Sequence, residues 1–517
     1  MSNIKILWAD DEIDLLKPQI MFLEDKGYSV LPVSNGQDAI DMCNDPDVNL
    51  IFLDEMMPGL SGLETLQQIK QKRPTVPVVM ITKNETENLM EEAIGSQISD
   101  YLIKPVKSQQ ILLTIKKLID NKRLVSEKTD STYQKEFQNI FFSLQENLDY
   151  DQWYDVYKKL VYWELQLDQT GASGMKDVFN AQKTEANVEF GKYIDKKYLG
   201  WISGSEKNKP VMSHTLFSEK VFPVLKEGIP TFFILIDNLR LDQFKVIEPL
   251  ISESFKQVKE DYFFSMLPTA TQYSRNAIFA GLLPSEIEKR MPNMWLNDDE
   301  EGGKNMYEEE FLKDNIVRNR KDLKYSYRKI LNHSEGKDFE ENILNLMHND
   351  LNVVVYNFVD MLSHARTEME VLKELASDET AYRSLTRSWF DHSPLYDALR
   401  KLADKKVQII ITTDHGTIRV NTPSKVVADR NATTNLRYKS GKNLQYNKKE
   451  VMEIKNPAEA GLPKMNLSST YIFGKGDVFF AYPNNYNYYV NYFKNTFQHG
   501  GISLEEMLIP FAVYTNY

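Results

Sequence analysis

The sequence predicts a multidomain α/β protein: an N-terminal doubly wound (βα)5 domain, a central all-α helical bundle and a C-terminal α/β domain. Three observations predict it. Apolar strand patterns alternate with helical patterns five times within the first 120 or so residues. Strand patterns then vanish, and three segments with apolar residues at helical spacing take their place. From Pro230 the strands return, and several run straight into Asp or His. The boundaries drawn on this basis are 1–122, 123–216 and 217–517.

The N-terminal elements follow in order. Ile4–Ala9 reads as a strand entering Asp10, Asp11 and Glu12, and Leu15–Lys26 as a helix stopped by Gly27. Tyr28–Val33 and Asn49–Leu53 are strands, the latter ending at Asp54, with Gly36–Cys43 and Gly62–Lys72 as helices. Val76–Ile81 is a strand ending at Thr82, and Glu85–Ile94 a helix. Asp100–Ile103 is a strand meeting Lys104 and Pro105, and Ser108–Asp120 closes the series as a helix. Asp10, Asp11 and Asp54 therefore crowd one sheet edge. Three carboxylates so close are costly unless a divalent cation sits among them. Lys104 offers a cation to the same spot, and Thr82 a hydroxyl.

The motifs D-D-E, D-E-M-M-P, a strand-terminal Thr and Y-L-I-K-P, in this order, resemble a two-component receiver domain. The resemblance implies that Asp54 is the phosphoacceptor. It implies that Asp10, Asp11, Asp54 and the Met56 carbonyl hold Mg²⁺, that Thr82, Tyr101 and Lys104 form the switch, and that a sensor histidine kinase is the partner. Receivers usually carry a small residue after the switch Thr. Lys83 stands there instead, which bears on the rate of phosphoryl gain and loss and not on its site.

The middle segment shows helical spacing over Gln134–Leu148, Gln152–Leu167 and Val178–Tyr198. Its aromatic stripe of Phe137, Phe141, Phe142, Trp153, Tyr157 and Trp163 reads as helix–helix core. No stretch reads as a helix-turn-helix with a basic recognition helix, so direct binding of duplex DNA is not expected.

In the C-terminal part, Thr231–Ile236 ends at Asp237. Tyr262–Met266 leads through Pro268 to Thr271 at a helix start, where the dipole favours an alkoxide. Asn352–Asn357 precedes Asp360 and His364, which lie one helical turn apart and so face the same way. Ile409–Gly416 reads I-I-I-T-T-D-H-G, a strand buried on both faces that ends in Asp414 and His415. His499 opens H-G-G-I-S-L-E. In open α/β sheets ligands gather at the carboxyl ends of strands. Six carboxylates and imidazoles at one such edge suit two divalent ions, and mixed oxygen and nitrogen ligation suits zinc, then manganese.

This constellation resembles the PglZ branch of the alkaline phosphatase superfamily, from about Pro230 to Tyr517. The resemblance implies one zinc on Asp360, His364 and His499, a second on Asp237, Asp414 and His415, and Thr271 as nucleophile completing the second site. It implies a two-zinc phosphoesterase that forms a phosphothreonine. No third metal site of the monoesterase kind is evident, which favours phosphodiesters. Receiver, helical connector and PglZ domain together resemble response regulators linked to type IX protein secretion. That implies a homodimer on phosphorylation, an oligonucleotide substrate, linear or cyclic, and a sigma factor or secretion-system component as partner. The competing expectation is a signalling adaptor or transcriptional regulator whose PglZ domain is a protein-binding platform.

Composition narrows the classes. The net charge of -12 argues against a general nucleic-acid coat or an anionic membrane surface as partner. A single cysteine, Cys43, excludes an intrachain disulfide and fits a reducing compartment. No apolar run is long enough to span a bilayer, and the expected location is cytoplasmic. Two polar insertions remain. Asn297–Glu310 is acidic. Val420–Lys449 is basic, carrying Lys425, Arg430, Arg437, Lys439, Lys442, Lys448 and Lys449 with Tyr438 and Tyr446 between them. It is expected to overhang the metal pair as a phosphate-binding lid, with Arg437, Tyr438 and Lys439 touching substrate.

Overall fold

The structure is a computed structural model that describes residues 4–83, 98–170, 173–298, 300, 302–360, 378–428, 432–464 and 468–517. It divides into two units, one built on Met1–Tyr133 and the other on Gln134–Gln169 and Ser173–Tyr517.

The first unit holds strands β1 (Lys5–Ala9), β2 (Ser29–Val33), β3 (Val48–Asp54), β4 (Val78–Thr82) and β5 (Asp100–Ile103). They pair in parallel in the order β2-β1-β3-β4-β5. Side chains alternate faces along a strand. Leu7, Ala9, Ile51 and Leu53 accordingly pack on one side with Ile40, Leu66 and Ile69. Ile6, Trp8, Leu50 and Phe52 pack on the other with Leu23, Ile111 and Ile115. The helix expected over Glu85–Ile94 lies outside the described residues. Gly62 opens the helix after β3, and a Cβ there would stand 2.4 Å from the Asp54 carbonyl oxygen, so only glycine lets that helix come so near the strand end.

In the second unit the connector helices run longer than apolar spacing suggests, as Tyr150–Thr170 and Ser173–Ser203. Gln134–Leu148 is represented by the end of a helix over Asn121–Leu144. The added turns at 150–151, 168–170 and 173–177 are mostly polar and give no apolar periodicity, and the last helix runs past Gly200, which reads as a stop although Trp201 beyond it is buried. Trp153, Tyr157 and Trp163 are buried, whereas Phe142 is exposed. The connector packs on the six-stranded sheet of the C-terminal domain through aromatics: Tyr154 stacks on Tyr262 at 4.0 Å and Trp201 meets Phe264 edge-on at 5.2 Å.

Charges seal the same seam. Arg383 donates to Glu164 at 3.0 Å, to Asp242 at 2.8 Å and to Asp168. Arg240 forks onto Asp242 at 2.9 and 2.6 Å and reaches Glu379 at 2.5 Å. Lys183 of the connector lies 3.0 Å from Glu164 and 3.3 Å from Glu505. Burial pushes the Asp242 carboxyl up, but Arg240 and Arg383 outweigh it and hold Asp242 well below the usual carboxylate range.

This six-stranded sheet comprises β6 (Thr231–Ile236), β7 (Lys256–Phe264), β8 (Tyr325–Ile330), β9 (Leu351–Tyr356), β10 (Gln408–Thr412) and β18 (Leu508–Thr515), in the order β7-β18-β10-β6-β9-β8. β8, β9, β6 and β10 run parallel, and β18 is antiparallel to both β10 and β7. β6, β9 and β10 are buried throughout, as strands covered on both faces must be. Three small sheets sit beyond the strand ends: β11 (Ile418–Arg419) with β17 (Phe497–Gln498), β12 (Thr422–Lys425) with β16 (Val478–Ala481), and β15 (Thr470–Gly474) between β13 (Tyr438–Gly441) and β14 (Val451–Ile454). Among the described residues no helix is long and apolar enough to cross a membrane.

Candidate functional site

Register builds the site. β10 and β6 pair with Thr412 opposite Leu235, so two residues further on Asp414 falls level with Asp237. Asn238 turns the chain away with φ of 65°, a conformation Asn tolerates better than most residues. Its backbone N–H donates to Asp414 Oδ1 at 3.3 Å and its side chain to Asp360 Oδ1 at 3.2 Å. Gly416 permits the sharp exit after His415, since a Cβ there would stand 2.1 Å from the Glu505 carbonyl oxygen.

Thr271 opens the helix Thr271–Ala280. Its Oγ1 lies 3.1 Å from His415 Nε2. The same Nε2 lies 3.8 Å from Asp414 Oδ2 and 4.0 Å from Asp237 Oδ1. His415 stacks on His499 at 4.4 Å between ring centres. His415 Nδ1 meets the Gly416 carbonyl at 3.2 Å and His499 Nδ1 meets the Thr269 carbonyl at 3.1 Å. With Nδ1–H donating to a carbonyl in each case, both histidines present Nε2 as the ligand atom. Thr269 also joins the two loops, accepting from Gly500 N–H at 3.0 Å and donating to the Gly501 carbonyl at 2.9 Å.

The electrostatics single out two atoms. Asp237 Oδ1 and Asp414 Oδ2 are buried and take no hydrogen bond. Burial pushes both carboxyls above their ordinary range against the opposing Arg275, and it pushes the His415 imidazole down. Two bare carboxylate oxygens beside an imidazole nitrogen and a hydroxyl are what a metal cation satisfies. Tetrahedral ligands at zinc distances stand about 3.3 Å apart, close to the spacings found. Asp237, Asp414 and His415 thus fit a metal, with ligand atoms all within 4.8 Å of one another. Asp360 is placed beside this group through Asn238, and His499 through its stacking on His415. His364 lies outside the described residues.

Two residues escaped the sequence reading. Arg275, one turn after Thr271 on the same helix, is buried; it donates to Asp237 Oδ2 at 2.6 Å and to Glu308 at 2.5 Å. The i, i+4 spacing from Thr271 was the available signal. Glu308, from the acidic insertion, also receives Lys329 at 3.1 Å and the Tyr327 hydroxyl. The insertion further holds the helix Thr271–Ala280, since Asn305 donates to the Thr271 carbonyl at 3.0 Å.

The lid reading of Val420–Lys449 needs correction. Arg437, Tyr438 and Lys439 are buried. Arg437 forks onto Glu506 at 3.2 and 2.6 Å and also donates to the Val478 carbonyl. Lys439 donates to the Thr433 carbonyl at 2.7 Å and lies 4.7 Å over the Tyr482 ring; burial lowers its pKa to about 7. The Tyr438 hydroxyl meets Asp298 at 3.1 Å. These charges are spent on internal partners, with Glu506 the decisive one. Its carboxylate also accepts from Gly501 N–H and Ser503, tying the H-G-G-I-S segment to β13. Arg430 lies outside the described residues.

In the first unit, Lys104 Nζ lies 2.9 Å from Asp10 and 3.0 Å from Asp54, the residues past β1 and at the end of β3. Burial pushes the Asp54 carboxyl up to about 6 against the pull of Lys104. Ligand atoms of Asp10, Asp11 and Glu12 lie within 4.8 Å of one another. The Thr82 hydroxyl donates to Glu55, and Tyr101 and Met56 are exposed.

Known proteins share these parts. The family of the BREX system PglZ alkaline phosphatase-like domain matches residues 216–514, that of the PorX response regulator linker domain 123–202, and that of the response regulator receiver domain 6–116. The chain is 33% identical over 118 residues to the transcriptional regulatory protein ResD of Bacillus subtilis, covering 23% of this chain and 49% of ResD. It is 22% identical over 257 residues to a cyclic di-GMP phosphodiesterase of Thermotoga maritima, covering 48% of this chain and 65% of that protein. The chain thus spans about half to two thirds of the length of these relatives. Among solved structures it is similar to chemotaxis protein CheY4 of Vibrio cholerae, with 23% identity, 23% of this chain and 99% of that chain covered, and a TM-score of 0.22. It is likewise similar to the receiver domain of NtrX from Brucella abortus, with 31% identity, coverage of 22% and 98%, and a TM-score of 0.21.

Proposed function

From the premise that the chain belongs to the PglZ alkaline-phosphatase-like domain family and carries a receiver domain and a PorX-type linker, we propose that it is a response regulator whose receiver controls a two-zinc phosphodiesterase. Functionally it divides into a receiver (1–122), a connector (123–216) and an output domain (217–517). The observation that carries the reading is the pair of buried, hydrogen-bond-free oxygens on Asp237 and Asp414 beside His415 Nε2 and Thr271 Oγ1.

Asp237, Asp414 and His415 would hold one zinc; Asp360, His364 and His499 would hold the other. When bound, the cations would supply Lewis-acid stabilisation of the charge on the attacking and leaving oxygens. Thr271 attacks phosphorus in line through Oγ1, held in place by its helix start and by Asn305 on its carbonyl. A P–O bond forms to Thr271 as the bond to the leaving alkoxide breaks, the Thr271 hydroxyl proton passing through solvent to that alkoxide; water then hydrolyses the phosphothreonine and returns the threonine hydroxyl. Arg275 keeps Asp237 Oδ2 occupied, so that Oδ1 would be free to hold a metal. In the receiver, Asp54 accepts the phosphoryl group from a histidine kinase, with Mg²⁺ on Asp10, Asp11, Asp54 and the Met56 carbonyl. Lys104 and Thr82 then meet the added charge. Oligonucleotides are the substrate class, and the regulated process is type IX secretion.

Metal analysis of the purified chain, beside chromogenic diester and monoester assays, tests this. About two zinc per chain and a preference for the diester are expected. A zinc-replete protein without transition metal would sink the enzyme reading and favour the protein-binding platform.

A further inference from the structure

The helix Tyr486–Phe493 (Y-N-Y-Y-V-N-Y-F) buries none of its residues. Val490 and Phe493 anchor one edge of it on Ile418, Val420 and Phe479. The rest of its aromatic surface faces outward: Tyr488 is 65% exposed, Tyr489 39% and Tyr492 36%. The rings are ordered along the helix. Tyr488 and Tyr492 lie 6.1 Å apart and within 15° of parallel, and Tyr489 and Phe493 lie 6.2 Å apart and within 11°. Such i, i+4 pairs form a stepped ladder of flat faces. A core helix would bury these rings, and a solvated one would carry charge in their place.

Charge and position say what fits there. Residues 482–496 contain no carboxylate and one cation, Lys494, in a chain with 74 acidic residues. Asn487 and Asn491 stand exposed between the rings, and Lys425 lies 5.8 Å over Tyr486. The ladder is also wired to the metal site. β11 leaves His415 and β17 enters His499, paired with Ile418 opposite Gln498. Asn495 and Val420 close the outer end of this ribbon by a hydrogen bond of 2.8 Å. From Asn495 to His499 an extended chain covers about 13 Å. A ligand that stacks on the ladder while reacting at Thr271 is therefore a chain of several units.

Resting on the reading that the site cleaves phosphodiesters, we propose that the helix Tyr486–Phe493 is a base-stacking platform for a single-stranded oligonucleotide whose scissile phosphate lies at Thr271. Tyrosine faces stack on any base, which makes the platform tolerant of sequence. Asn487 and Asn491 reach base edges, and Lys425 and Lys494 meet the backbone phosphates.

The test uses the full chain and two readouts. First, a Thr271→Ala chain binds fluorescent single-stranded oligonucleotides of increasing length, followed by anisotropy. Affinity should rise with length and then level off. Tyr488→Ala/Tyr492→Ala should weaken binding of the long probes roughly tenfold or more, whereas Tyr488→Phe/Tyr492→Phe should bind as the parent does. Second, in the active chain KM should fall with oligonucleotide length, and this dependence should vanish in Tyr488→Ala/Tyr492→Ala. Equal affinity in the alanine variant, or equal loss in the phenylalanine variant, overturns the platform. So does a chain that loses self-association in Tyr488→Ala/Tyr492→Ala while its length dependence persists, because the face is then an interface between copies. Wild-type protein that cleaves no diester overturns the enzyme reading alone, since the binding readout still judges the helix.

Discussion

Asp237 has two oxygens with different neighbours. Oδ2 takes the Arg275 guanidinium at 2.6 Å, and Oδ1 takes nothing. Arg275→Met should therefore free the carboxylate to rotate and lower zinc affinity about 10- to 100-fold, read by chelator competition, with Arg275→Lys recovering part of the loss. Because burial raises the Asp237 and Asp414 carboxyls above the usual carboxylate range, zinc competes with protons here to a higher pH than at an exposed pair of carboxylates. Zinc affinity should rise with pH, and the calorimetric heat of binding should change with the ionisation enthalpy of the buffer. Lys439 gives a separate pH signature. Its folded pKa, about 7, lies below the ordinary 10.5, so its contribution to stability is fully present above pH 10.5 and is lost as pH falls through 7. Wild type should gain thermal stability relative to Lys439→Met between pH 7 and 10. At this scale Asp237, Thr271, Asp414, His415 and His499 were legible in the sequence because each ends a recognisable apolar run or opens a motif. Arg275 and Glu308 were not, because their meaning lies in a pairing across 33 residues. Arg437 and Lys439 misled, because a positive charge in a sequence says nothing of whether a buried carboxylate such as Glu506 awaits it.

Elements were easiest to read where burial dictates composition. β10 is apolar from Ile409 to Ile411 because both its faces are covered, and its end at Thr412, in register with β6, sets the level of the site. The connector helices were read short where their end turns are polar and where Gly200 reads as a stop before the buried Trp201. Their worth shows in the charged seam. Arg383→Ala would leave Asp242 and Glu164 buried beside fewer cations. It should cost about 3–5 kcal/mol, measured by denaturant titration of the full chain. Asn187 acts on the same seam from the connector side, accepting from Leu504 N–H at 2.8 Å and donating to Glu505 at 3.1 Å.

At the scale of the whole molecule, the order of receiver, connector and output domain was legible, but which parts fold together was not. On the proposed reading, phosphorylation at Asp54 would add roughly two negative charges and new acceptors for Lys104 and Thr82. Sedimentation should show a heavier species with a phosphoryl mimic at micromolar concentration, and an unchanged mass counts against the dimer. The seam carries a consequence for exchanging parts between proteins. Family boundaries invite a cut near residue 216, yet Arg383 finds Glu164 and Asp168, and Glu505 finds Lys183, on the connector side of that cut. A hybrid regulator that grafts a foreign input onto residues 134–517 keeps every one of those pairs, whereas one that grafts it onto 217–517 leaves Arg383 and Glu505 without their connector partners. The connector is thus inherited with the output domain, and inputs are interchangeable only upstream of it.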